Sequence, residues 1–182
     1  MTATISPKLR SRPAARSDDL MVWILAWSEL VAFAALMMGF VIASWFQPEV
    51  FAAGKARLHH DIALANTVVL LVSGWFAALA ARSVDLRRQR QALFVSAVGG
   101  ALFVALKLYE YQVEGASLLA EDSFSQLYVL ITGFHLVHVL FGSLVLALMA
   151  RFPSLENIHL VTTLWHVIDI VWLVMFPVVY LL

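Results

Sequence analysis

Residues 159–182 read HLVTTLWHVIDIVWLVMFPVVYLL. A bilayer core is crossed by about 20 mostly apolar residues, so this segment is long and apolar enough to span one. It nevertheless carries His166 and Asp169 near its middle. Three residues apart, they share one face of a helix. Trp165 and Trp172, seven apart, fall on nearly the same stripe. An ionisable side chain that faces lipid at mid-membrane costs at least about 2.5 kcal/mol. This face is therefore expected to look inward, at a partner helix or a partner protein.

The rest of the chain has the same character. Of its 182 residues 62% are hydrophobic and 13% charged, with a mean hydropathy of +0.87. A soluble domain is nearer half apolar and a quarter charged, so this composition describes an integral membrane protein. The basic residues sit in short flanks rather than a sustained patch, which argues against nucleic acid as a partner. With no cysteine, disulfides, thiolate metal sites and cysteine nucleophiles are excluded together.

Outward from the last span, the sequence predicts an all-α bundle of five transmembrane helices at about 20–46, 62–81, 91–111, 125–150 and 159–181, good to a few residues. Residues 1–19 read as a polar, basic, poorly ordered cytoplasmic tail and not as a signal peptide. Lys8, Arg10, Arg12, Arg16, Arg82, Arg87, Arg88, Arg90 and Arg151 fall on one side of this five-span pattern, against Lys55 and Arg57 on the other. The positive-inside rule then puts the N-terminus in the cytoplasm and the C-terminus in the periplasm. Gly99-Gly100 in the third span reads as a site of close backbone approach.

The spans carry further polar groups. At about 1.5 Å rise per residue, Glu29, His135, His138, His166 and Asp169 all fall toward the middle of the membrane. Glu110 lies at the outer end of the third span, with Lys107 one turn before it at a spacing where the two can pair. Glu29 reads either as a neutral carboxyl hydrogen-bonded inside the bundle or as a group that handles protons or meets a lipid headgroup. His135 and His138 form H-x-x-H, a spacing that suits a metal or a haem. The Glu-x-x-His repeats of carboxylate-bridged metal bundles are missing, so the expectation is no metal, no cofactor and no catalytic residue, with His166 bonded to a carboxylate or carbonyl across helices. Ser28 reads as a packing hydroxyl, and His59, His60 and Asp61 as a solvated loop.

The stretches WSELVAF (27–33), NTVVLLVSG (66–74), YEY (109–111), TGFHLVHVLFG (132–142) and WHVIDIVWL (165–173), one per span and in this order, resemble subunit III of haem-copper oxidases. The resemblance covers the chain from about Leu20 onward. It implies a subunit that binds no metal, does no redox chemistry, packs on the haem-bearing catalytic subunit and supports sustained turnover and proton uptake. Glu29 matches the family's carbodiimide-reactive glutamate, Glu110 the acidic residue of its E-Y motif, and His135, His138, His166 and Asp169 its polar residues on the last helices. Two departures stand out. The two helices that precede these five in the usual seven-helix form, and wall a lipid-filled cleft there, are missing. Lys107 also stands where an uncharged amide is more usual.

The five-span length is similar to the accessory protein of bacterial nitric oxide reductase, the NorE type. The expected function is therefore a supporting subunit of a respiratory complex in the bacterial inner membrane, first of nitric oxide reductase in denitrification. The alternative is subunit III of an oxygen-reducing cytochrome c or quinol oxidase. A free-standing proton or small-molecule carrier is a remote third, since no inverted repeat is present.

Overall fold

The computed structural model describes residues 15–152 and 155–181. Helix α1 spans Ala15–Phe46, α2 Pro48–Lys55, α3 His60–Arg82, α4 Leu86–Glu114, α5 Ser123–Arg151 and α6 Leu155–Phe176, and a π-helical turn, Pro177–Leu181, closes the chain. Among the described residues there is no strand. Five of the helical stretches are long and apolar enough to cross a membrane. Inside a bilayer no water satisfies backbone groups, so a helix is how an isolated apolar segment of this length crosses.

The observed ends differ from the expected ones in an informative way. α1 begins at Ala15, so the predicted tail is already helical over its last residues, and residues 1–14 lie outside the described ones. α4 extends beyond the apolar window in both directions, because its polar ends carry their own caps. Asp85 accepts from the Arg87 backbone N–H at 3.1 Å, and Gly115 at φ 64° ends the helix in the left-handed region, which suits a residue without Cβ. The expected loop after the first span contains α2, a helix with Pro48 in its first turn, Glu49 near its N-terminus and Lys55 in its last turn. This charge order follows the helix dipole. Pro177 has no N–H to return to the preceding turn, and the chain continues from it in the wider π winding.

α5 starts on Asp122, whose carboxylate accepts from the Ser125 backbone N–H at 2.9 Å and lies 3.3 Å from Arg57. Burial alone pushes the Asp122 carboxyl up, but the Ser125 hydrogen bonds and the Arg57 charge outweigh it and hold it below the usual carboxylate range. A carboxyl lowered on folding stabilises the fold fully above its unfolded value near 3.9, and that contribution is lost as pH falls through the folded value. Asp122→Ala is expected to cost about 1 kcal/mol at neutral pH. Parallel denaturation of parent and variant should show the gap closing below about pH 4. Most of it belongs to the cap, since the Arg57 pair is solvent-exposed and such pairs contribute little.

α4 is the central helix, packed against α3 on one side and α5 on the other, while α6 closes the bundle against both and α1 lies outside on α5 and α6. Small residues set the spacing. A Cβ on Gly100 would come 2.6 Å from the Trp165 ring, so the α4 backbone seats directly on that indole. Ser73 donates to the Ser96 carbonyl at 2.7 Å across α3 and α4. The expected close approach at Gly99-Gly100 is thus observed. Trp165 and Trp172 are both buried, as their stripe predicts, together with Phe103, Tyr128, Leu70 and Leu146. Trp23, Trp27 and Trp45 are exposed on α1, as residues of an interface belt are.

Candidate functional site

The polar groups of the spans do not converge. They form two pairs, one isolated histidine and one dense cluster.

The first pair joins α1 to α5. Glu29 Oε2 lies 2.9 Å from His138 Nε2, off the axis of an aligned hydrogen bond, and His138 Nδ1 meets the Phe134 carbonyl one turn back at 2.7 Å. Phe33 and Phe134 stack their edges on the imidazole. Both side chains remain partly exposed, Glu29 by 32% and His138 by 24%. Of the two readings of Glu29, the one that places it inside the bundle is corrected: α1 packs on the outside, and the one ionisable residue of its membrane-length stretch, Trp23–Phe46, lies at a seam. That seam is a cleft of about 480 Å³ between α1, α5 and α6, floored by Trp165 and Val171 and otherwise apolar except for this pair.

The second pair lies within α6. His166 Nδ1 is 3.5 Å from Asp169 Oδ2, so the bond expected across helices forms inside one helix, at the i, i+3 spacing. Asp169 is buried and pressed against α3 at Gly74, where a Cβ would strike its carboxylate. His166 keeps 41% of its side chain exposed. The polar face of α6 therefore splits: the tryptophans and Asp169 turn inward, and His166 turns out.

His135 is fully buried and neither ring nitrogen has a partner among the described residues. It lies stacked on Trp172 with ring centroids 5.2 Å apart, and Phe33 and Phe103 meet it edge-on. His135 and His138 share a helix face in sequence terms, yet only His138 opens on the cleft. Among the described residues no three His, Asp or Glu side chains gather as a metal would require. Phe33 lies against both histidine rings, its centroid 5.9 Å from that of His135 and 5.5 Å from that of His138.

The cluster sits at the α2 end of the bundle. Lys107 and Glu110, both fully buried, pair at 3.1 Å, as their spacing predicts. Around them stand groups that the sequence alone did not single out. Lys107 Nζ donates to Tyr128 at 2.9 Å and also to the Tyr180 hydroxyl. Tyr180 donates to Glu110 Oε1 at 2.5 Å, and Tyr128 lies 2.9 Å from Glu114 Oε2. The ammonium is further enclosed by the rings of Tyr111 and Trp172 at 5.2 and 5.5 Å, within cation–π range. The π turn matters here, because it carries Tyr180 back over Glu110. The signal available in sequence was the charge pair itself: a buried Lys and Glu need donors and acceptors for their remaining valences, and tyrosines were the candidates.

The sequence model of the family described as Cytochrome c oxidase subunit III matches residues 19–182. "Cytochrome c oxidase subunit 3" of Thermostichus vulcanus is 24% identical over 193 residues, covering 100% of this chain and 94% of that protein. "Probable cytochrome c oxidase subunit 3" of Nocardia farcinica is 27% identical, over 93% of this chain and 89% of its own length. "Cytochrome c oxidase subunit 3" of Latimeria chalumnae reaches 32% over 66% of this chain, which spans only 50% of that protein. With five membrane-length helices and a match that runs from residue 19 to the end, the chain belongs to the cytochrome c oxidase subunit III family.

Proposed function

We propose that the chain is the non-catalytic subunit III of an oxygen-reducing haem-copper oxidase, seated in a bacterial cytoplasmic membrane against the catalytic subunit that carries haem and metal. The observation that supports this reading is the family match over residues 19–182. The five-span length, which by itself suggests the nitric oxide reductase accessory protein, is no longer a discriminator. The Thermostichus and Nocardia proteins bear the oxidase name and are covered over 94% and 89% of their lengths. Nitric oxide reductase is the second reading. A free-standing carrier ranks last, because Glu29, His138 and Asp169 belong to two separate seams and line no common path.

In this role the chain itself holds no haem or copper, and its contribution is packing and the placement of buried protons. The distribution of Lys and Arg supports a cytoplasmic N-terminus and a periplasmic α2 end. The apolar cleft beside Glu29 and His138 suits a lipid chain from the surrounding membrane. Purification of the tagged chain in mild detergent, followed by a reduced-minus-oxidised spectrum and identification of bound subunits, tests the reading. Oxidase subunits with their haem bands support it, nitric oxide reductase subunits move it to the second reading, and haem on the isolated chain overturns both.

Glu29 supplies a second check on assembly. Glu29→Gln keeps a group of the same shape beside His138, whereas Glu29→Ala removes the contact altogether and is expected to weaken the α1 seam by about 1 kcal/mol. Equal losses of complex on detergent titration of the two variants would show that charge or its proton, rather than the contact, holds the seam.

A further inference from the structure

Four side chains from α4 and the closing turn meet around one phenol of α5, that of Tyr128. The Tyr128 hydroxyl lies 3.0 Å from Glu110 Oε1, 2.9 Å from Glu114 Oε2 and 3.1 Å from the Tyr180 hydroxyl, and it accepts from Lys107 Nζ at 2.9 Å. A phenol carries one proton, so Tyr128 donates to only one of the two carboxyl groups at a time. Tyr180 spends its own proton on Glu110 Oε1. The second contact between Tyr128 and a carboxyl therefore closes as a hydrogen bond only when that carboxyl brings a proton of its own.

Charge leads to the same count. Lys107 and Glu110 side chains are 0% exposed and that of Glu114 is 2% exposed. One buried ammonium thus faces two buried carboxyl groups. The set is neutral when one proton is bound, on a carboxyl or on the His59 imidazole 3.9 Å from Glu114, and an unbalanced buried charge is strongly disfavoured.

The geometry points to a one-proton exchange site made of Glu114 and Glu110 bridged by the Tyr128 hydroxyl, with Glu114 as its port and Glu110 as its buried end. In the transfer, the O–H bond at Glu114 Oε2 breaks as one forms at the Tyr128 oxygen. The phenol's original proton leaves it and bonds to Glu110 Oε1. One proton moves inward, Glu114 is left as the carboxylate, Glu110 becomes the neutral acid, and the net charge of the set is unchanged.

The port faces water through His59. Its backbone N–H donates to Glu114 Oε1 at 3.0 Å, its Nδ1 lies 3.9 Å from the same oxygen, and half of its side chain is exposed. The groups facing the site are His59 before α3 and His60 at its start, the latter 3.1 Å from the Tyr180 carbonyl. From α4 come Lys107, Glu110, Tyr111 and Glu114, from α5 Tyr128, and from the closing turn Tyr180. Among the described residues, Lys107 meets beyond this set only the ring faces of Tyr111 and Trp172, whose own polar atoms are bonded to Thr132 and Thr67. The site is a dead end, so it stores a proton taken from the α2 side and does not conduct one across.

Infrared spectra of the full chain in lipid nanodiscs test this. The parent is expected to show a protonated-carboxyl C=O band that is lost in Glu114→Gln and equally in Glu110→Gln, because a single remaining carboxylate is balanced by Lys107. Tyr128→Phe is expected to keep the band and to slow its shift on transfer to D2O. A cluster that serves only to brace the helices, with both carboxylates ionised, loses no such band in either Gln variant, and that result overturns the site. If one Gln variant does not fold, the other reports the same proton. Deuteration as fast in Tyr128→Phe as in the parent overturns the bridging role of the phenol.

Discussion

Lys107→Met is expected to destabilise the chain by about 3–5 kcal/mol at neutral pH, the usual consequence of removing one partner from a buried ion pair. Lys107 is fully buried and satisfies Glu110, Tyr128 and Tyr180 at once. Without it, two carboxyl groups face each other across Tyr128 with no cation between them. Lys107→Met combined with Glu110→Leu should recover much of the loss, because a buried pair replaced by apolar residues of similar size is often neutral. Unfolding in mixed micelles of the parent, both single variants and the double variant gives the coupling energy directly. Purely additive losses would mean that the two side chains act independently, contrary to their 3.1 Å contact.

Trp172→Ala is the second large effect, expected at about 3–5 kcal/mol. Trp172 is fully buried. Its indole N–H donates to Thr67 Oγ1 at 2.9 Å on α3, its ring meets Phe103 of α4 edge-on at 4.8 Å, and its face covers His135 of α5. One side chain thus ties α6 to the three helices it faces, and its removal opens a cavity and strands polar atoms together. Trp75→Ala is the control. Trp75 lies on α3 but is 67% exposed, so its removal should change stability by no more than about 0.5 kcal/mol. The same unfolding assay separates the two. Similar losses at both positions would mean that tryptophan volume, rather than its place in the bundle, governs the effect.

Much of this architecture was legible in the residues. Apolar stretches of membrane length locate five helices, since a bilayer leaves a lone segment no other way to satisfy its backbone. The spacing of Trp165 and Trp172 marks the buried stripe of α6, and Gly100 marks where α4 meets it. The three-residue spacing of Lys107 and Glu110 predicts their pair, because that contact lies within one helix turn. Helix α2 and the full length of α4 were less visible, since capping and dipole effects at polar ends carry no hydropathy signal.

What the sequence could not decide is which groups from different helices meet. Tyr128 and Tyr180 stand 52 residues apart, and only the packing of α5 against α6, with the π turn after Pro177, sets them over Glu110. Glu29, His138, His166 and Asp169 share a depth in the membrane, which follows from counting residues. Their separation into two seams follows from the azimuth of each helix about its axis, and that angle is fixed by packing. Depth is a property of one segment and can be read from it; azimuth belongs to a pair of helices and exists only once the bundle has formed.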